Sequence, residues 1–286
     1  MKQSEIESII EKRFEKLNTA FDNVRMQLDE ENIRSCRVKI KKLAAWLQLF
    51  SGANGHSHQI KLPDKIAKAY GLLGAIREIH IQQSHIQKTL KGKQILPPVT
   101  YLKLISDSTL QRVSDFNKHI EGLKSFKKDK EKLSMLIPKH LSQKMIEQFV
   151  QSEGNKAKKL LTPVFPSEKS FHETRKYLKA LLYISPCLTE EGIITLLPYA
   201  PFSTYDDIHA FTTLLGAFHD LNTAINRLHK ECQEIEIDEN EKTVLRHIET
   251  LWTREREAFR IKIFDEIEKI TVLLHPVESM VNRPAM

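Results

Sequence analysis

The chain has 286 residues, 41% of them hydrophobic and 28% charged, with a formal net charge of +7. Those proportions exclude an intrinsically disordered chain and leave room for one large domain or two of ordinary size. With only 9 glycines, well under the average usage of about 7%, they also argue against a turn-rich α/β protein and for helices.

Apolar residues recur at helical spacing along almost the whole chain. A first helix is predicted over residues 4–28, with Ile9, Phe14, Leu17, Phe21 and Val24 on one face. A second is predicted over 30–50, its stripe formed by Ile33, Cys36, Ile40, Leu43 and Leu47. It ends at the loop SGANGHSH. Pro63 stands where a third helix would begin, and that helix runs to about residue 90. Pro97 and Pro98 break the chain, a fourth helix follows from about residue 99, and helix continues through the Lys-rich KSFKKDKEKL to Pro138.

The order then repeats. Helices are predicted over 141–161, 170–184, 204–232 and 239–274, separated by Pro163 and Pro166 and by a connection carrying Pro186, Pro198 and Pro201. The one strand-like stretch, EIEI at 234–237, is too short to define a sheet. The expected fold is all-α: two tandem four-helix bundles, 1–138 and 139–286. The N-terminus MKQSEIESII lacks the apolar core of a secretory signal, and no run approaches a membrane span. Cys36, Cys187 and Cys232 are scattered and form no CxxC, so reduced thiols and a cytoplasmic location are expected.

Two segments bear on function. LLGAIREIH (72–80) is matched by LLGAFHDLN (214–222), and RVKIKKLAAWL, starting at Arg37, by RKYLKALLYI, starting at Arg175. The glycines lie 142 residues apart and the arginines 138 apart, in the same order. At 100° per residue, Arg34, Arg37 and Lys41 fall within about 60° of one another, beside the apolar stripe. His172, Arg175 and Lys179 take the same three places in the second half. Like charges at i, i+4 repel by a few tenths of a kcal/mol, yet Arg37–Lys41 and Arg175–Lys179 are both kept. A cationic row at a core margin, written twice, suits an anion-binding groove: arginine gives forked donors to phosphate oxygens and lysine a mobile point charge. Lys42 and Lys176 extend the basic runs. The second helices add Arg77 and His80, and His219. Gly74 and Gly216 fall mid-helix, where glycine costs about 1 kcal/mol against alanine, which implies close packing of the basic helix. Glu78 and Asp220 are expected to orient the nearby cations by ion pairing.

Together these segments resemble the CHAD family (conserved histidine α-helical domain), whose pattern is H-x-x-R-V-x-x-K/R-K/R-L-R followed by L-G-x-x-R-D in each of two halves. RSCRVKIKKLA (34–44) and LLGAIREIH match the first half; HETRKYLKALLY (172–183) and LLGAFHDLN match the second. The resemblance implies two four-helix bundles related by pseudo-twofold symmetry and a basic surface that binds inorganic polyphosphate without catalysis. By that resemblance Arg34, Arg37, Lys41, Lys42, Arg77, His172, Arg175, Lys176, Lys179 and His219 form the candidate site, with no metal and no cofactor, and polyphosphate granules become a candidate location. The chain departs from the pattern at Arg34, where the family has His, at His219, where it has Arg, and at Ala44, Ala180 and Leu182, where basic residues are expected.

Three rivals remain. A single-strand nucleic-acid binder interleaves aromatic platforms with its cations. Here aromatics are 7% and mostly on apolar stripes, with Trp46 and Tyr183 the nearest exceptions. A metal-dependent phosphohydrolase would need ligand spacings that His80/His85 and His56/His58 do not supply, and the acidic pairs Glu190–Glu191 and Asp206–Asp207 read as helix starts. A helical scaffold docking on an acidic partner protein stays open, as does the oligomeric state.

Overall fold

A computed structural model describes residues 1–53, 59–93, 95–122, 125–163, 166–184, 204–234 and 236–274. The connection with Pro186, Pro198, Pro201, Cys187 and Glu190–Glu191, and the loop with His56 and His58, lie outside these residues. The described chain is all-α, with no strand: α1 (Gln3–Met26), α2 (Glu30–Ala53), α3 (Asp64–Lys93), α4 (Val99–Ile120), α5 (Lys127–Ser134), α6 (Gln143–Leu161), α7 (Glu168–Ile184), α8 (Tyr205–Glu234) and α9 (Glu239–Leu274). Among the described residues no helix is long and apolar enough to cross a membrane.

The helix starts are chemically marked. Asp29 Oδ1 accepts the Asn32 N–H at 2.7 Å before α2, Ser167 Oγ accepts the Ser170 N–H before α7, and Asp238 Oδ1 accepts from Asn240 and Glu241 before α9. At α8, Thr204 Oγ1 accepts the Asp207 N–H while Asp207 Oδ2 accepts the Thr204 N–H, a reciprocal capping box that assigns this acidic residue to the helix start. Pro63 and Pro98 precede α3 and α4, each giving its carbonyl to the first helical turn.

The helices form two compact units. The first comprises Met1–Ile146 and Thr223–Trp252, and the second Glu147–Asn222 and Thr253–Met286. The core of the first is set by α1 and α2. The whole stripe Ile33, Cys36, Ile40, Leu43 and Leu47 is buried. On α1 the buried face is Ile6, Ile10, Phe14, Leu17, Phe21 and Val24, so Ile10 rather than Ile9 fills the core position. In the second unit Phe171 of α7 meets Phe218 of α8 edge-on at 5.4 Å and Phe264 of α9 at 5.9 Å. Burial pushes the Cys36 thiol up to about 12 and the Cys232 thiol up to about 11, so both stay protonated at neutral pH.

The first unit also holds a buried polar network. Tyr101 is fully enclosed; its hydroxyl donates to Glu231 Oε2 at 2.6 Å and accepts from the buried Gln82 at 2.9 Å, and its N–H donates to Glu241 Oε1. Arg227 holds the other oxygen of Glu231 at 2.7 Å. Burial, then the Glu231 carboxylate, pushes the phenol far above its ordinary value, so it serves as a donor at any physiological pH. Removing that hydroxyl leaves Glu231 and Gln82 short of a partner. Tyr101→Phe is expected to cost about 1–3 kcal/mol, measured by denaturant unfolding.

Candidate anion-binding site

Each basic helix is fixed to its glycine helix by the same device. In the first unit Arg37 Nη1 of α2 donates to the Tyr70 carbonyl of α3 at 2.7 Å, Nη2 lies 3.3 Å from the Tyr70 hydroxyl, and the guanidinium stacks 4.2 Å from the Tyr70 ring. In the second unit Arg175 Nε of α7 donates to the Thr212 carbonyl of α8 at 3.3 Å. Both carbonyls stand four residues before a glycine, where a helical carbonyl already accepts the glycine N–H. A Cβ at Gly74 would lie 2.6 Å from Arg37 Nη1, and one at Gly216 3.0 Å from Arg175 Nε and Nη2. The mid-helix glycine is therefore a notch that admits a guanidinium to the backbone. What approaches closely is the arginine side chain itself.

The remaining candidates divide around these two clamps. Arg34 is exposed and pairs with Glu31 one turn back at 3.4 Å; Lys176 likewise pairs with Glu173 at 2.9 Å. Such exposed pairs hold little energy. Lys41 and Lys179 are half-buried at the margins of their stripes. Lys42 lies about 100° around the helix from Lys41; burial first, then the charges of Lys39, Arg13 and Lys16, lowers its proton affinity. In the second unit the His172 and His219 rings are brought together, centroids 4.3 Å apart and tilted by 38°.

Arg77 is oriented by an acid, but not by its neighbour Glu78. Its partner is Glu30, in the first turn of α2, with which it forms an ion pair. The Arg77 hydrogen bond holds the Glu30 carboxyl below its ordinary range, overcoming the opposite pull of burial. Glu78 instead lines a cleft of about 700 Å³ with Arg112 of α4 and Arg227 of α8. The counterpart of Glu30, by the 138-residue offset, is Glu168 in the first turn of α7. It accepts from Asn222 of α8 at 2.9 Å and lies 3.9 Å from Arg256 of α9. Glu30, Glu168 and Arg256 escaped the sequence reading. Only the recurrence of an acid at the start of each basic helix signalled the first two.

This is a repeated helix pair, clamped by arginine in glycine, with basic residues along its margins. A CHAD domain model matches residues 8–229. The chain belongs to the CHAD domain family. Two solved structures share the fold. One is PptA from Streptomyces chartreusis, with a TM-score of 0.66 and 11% identity, covering 93% of this chain and 99% of that one. The other is the CHAD domain from the plant Ricinus communis, with a TM-score of 0.64 and 16% identity, covering 93% and 91%. No curated protein matches the sequence.

Two measurements check this geometry. Gly74→Ala should gain about 1 kcal/mol of helix propensity in an Arg37→Met background but lose that gain in the wild type, where the methyl evicts the guanidinium. The resulting coupling should be about 1–2 kcal/mol in a double-mutant cycle. The second concerns His80, whose proton affinity is lowered chiefly by burial, against the pull of Glu30. The unfolded chain then binds this proton more tightly than the folded one, so stability falls as pH drops through about 6.5. His80→Asn is expected to flatten the melting temperature between pH 7.5 and 5.5, at roughly the pH where an ordinary imidazole titrates.

Proposed function

We propose that this CHAD protein binds inorganic polyphosphate, without catalysis, through the basic margins of α2 and α7. The observation that carries the reading is the twofold occurrence of the arginine–glycine clamp, each copy fixing a helix that bears a basic row. A linear polyphosphate has a negative charge on each phosphate and no bases, so cations in a row are enough to hold it. Affinity then comes largely from released counterions and falls steeply with salt, by analogy with nucleic acids.

The clamps redistribute the roles within the row. Arg37 and Arg175 spend donors on backbone carbonyls, so they position the helices and offer their remaining N–H groups to the anion. Lys41, Lys179, His172 and His219 make the adaptable contacts. Nucleic acid is the weaker candidate, because Trp46, named above among the nearest exceptions to the apolar stripes, is only 1% exposed and cannot serve as a stacking platform.

The test is calorimetric binding of long-chain polyphosphate at two salt concentrations, with single-stranded DNA as competitor. Lys41→Glu with Lys179→Glu is expected to weaken binding at least ~100-fold at unchanged helix content, since each charge-assisted contact is worth about 1.5–3 kcal/mol. A phosphate placed against an imidazole favours its protonated form, so affinity is expected to rise as pH falls below neutrality, and His172→Gln with His219→Gln should weaken that pH dependence. Wild-type protein that ignores polyphosphate at low salt would overturn the reading.

A further inference from the structure

The first unit holds a cleft that the polyphosphate reading does not use. It has a volume of about 700 Å³ and is lined by residues of α3, α4 and α8, all within that unit. Its size is that of a small-molecule site. Three cations, Arg112, Arg227 and Lys230, are balanced there by three carboxylates, Glu78, Glu231 and Glu234. A cleft whose charges cancel attracts a polyanion poorly, so it calls for a different ligand from the basic margins of α2 and α7.

Two of these opposite charges pair within α8, and so do two more. Arg227 Nε donates to Glu231 Oε1 at 2.7 Å, and Lys230 lies 3.7 Å from Glu234. The first pair is held from behind, because the other oxygen of Glu231 accepts from the enclosed Tyr101 hydroxyl at 2.6 Å. Arg227 is thus fixed at Nε, while its two terminal nitrogens make no hydrogen bond among the described residues. The remaining two charges stay open. Glu78 of α3 and Arg112 of α4 are both exposed, and neither forms a hydrogen bond or ion pair with any described residue. Each helix withholds the partner. No cation stands three or four residues from Glu78, where a helix would bring one alongside. Asp115, one turn on from Arg112, accepts from Gln111 at 3.0 Å instead.

We propose that this cleft binds a small zwitterion, an amino carboxylate whose carboxylate lies on Arg227 and Arg112 and whose ammonium lies on Glu78. A guanidinium held at Nε still offers its terminal N–H groups as a planar fork, the geometry that takes a carboxylate on two parallel hydrogen bonds. Arg112 adds a second cation from another helix. The ammonium supplies the charge that α3 and α4 withhold from Glu78. Ala75 and Ile79 add apolar surface to the same cleft, against which a short methylene chain can lie. A ligand of one sign would leave either Glu78 or Arg112 facing its own charge, whereas a zwitterion satisfies both. The site is independent of the polyphosphate reading and takes a ligand of other chemistry.

The test is a titration of the full chain with amino carboxylates of rising length (glycine, β-alanine, γ-aminobutyrate and ε-aminocaproate), followed on the methyl resonance of Ile79. Propionate and propylammonium serve as probes of a single charge. At least one member of the series is expected to saturate the shift, and the single-charge probes to bind at least ~10-fold more weakly, since each charge-assisted contact is worth about 1.5–3 kcal/mol. Glu78→Gln should remove the advantage of the zwitterion over propionate. Arg112→Gln should weaken zwitterion and propionate alike, by about 10-fold. Both side chains are exposed and unpartnered, so neither change should move the melting temperature. The site is overturned if no amino carboxylate saturates the shift, if propionate or propylammonium binds as well, or if both variants bind like the wild type. It is also overturned if polyphosphate displaces the zwitterion and loses as much affinity on Arg112→Gln, which would assign the cleft to the polyanion. Failure of the wild-type protein to bind polyphosphate overturns the earlier reading and leaves this site standing.

Discussion

The architecture of the site depends on a guanidinium reaching a helical carbonyl through the gap left by a missing Cβ. A helix backbone normally hides its carbonyls behind side chains and shares them only with its own N–H groups. Glycine removes the obstacle at one spot, and the arginine gains a charge-assisted hydrogen bond that the solvent-exposed surface would not provide. In the first unit the Tyr70 ring adds a stacking surface. Glycine gives up about 1 kcal/mol of helix propensity for this, and the bond to the charged donor offsets it. The contact also sets the rotation of the basic helix about its axis. Once Arg37 or Arg175 is anchored, the residue four positions on, Lys41 or Lys179, is carried along the same margin.

That fixed rotation explains how like charges can persist along a helix edge. Repulsion between Arg37 and Lys41 is a few tenths of a kcal/mol, small beside the burial of Ile33, Ile40, Leu43 and Leu47 on the adjoining face. The core decides where the helix sits, and the electrostatic cost is carried as a consequence. The outer cations are treated differently. Arg34 and Lys176 borrow a glutamate one turn back, and both pairs are solvent-exposed. Such pairs hold the side chains loosely.

Much of this was legible in the sequence, for identifiable reasons. Helical period and proline placement mark the helices because both reflect local backbone geometry. The stripe of α2 is buried as its spacing requires, and the paired Leu-Gly and basic segments predicted close packing at Gly74 and Gly216. The misses concern partners distant in sequence. Arg77 was expected to pair with Glu78 beside it, yet adjacent helical residues diverge by about 100°, and the true partner, Glu30, arrives from another helix. Trp46 was read as lying off the apolar stripe, but packing of α1 against α2 buries it under Arg13. The Tyr101 network draws on α3, α4, α8 and α9, and no local pattern announces it.

The two halves keep one plan and differ in the kind of charge they place on it. An acid begins each basic helix, Glu30 and Glu168, and each is held from the glycine helix. In the first half Arg77 supplies the ion pair directly. In the second, the residue at that offset is His219, and the pairing passes to Asn222 and to Arg256 of α9. His219 is turned instead to His172, which stands where the first half has Arg34. Two arginines in one half thus correspond to two adjacent, tilted imidazoles in the other. Arginine keeps its charge at any physiological pH, whereas imidazole is the side chain whose charge ordinarily changes near neutrality. The halves therefore differ in the chemical kind of their nitrogen donors. The difference follows from substitutions at a few positions on a frame whose arginine–glycine clamps remain the same.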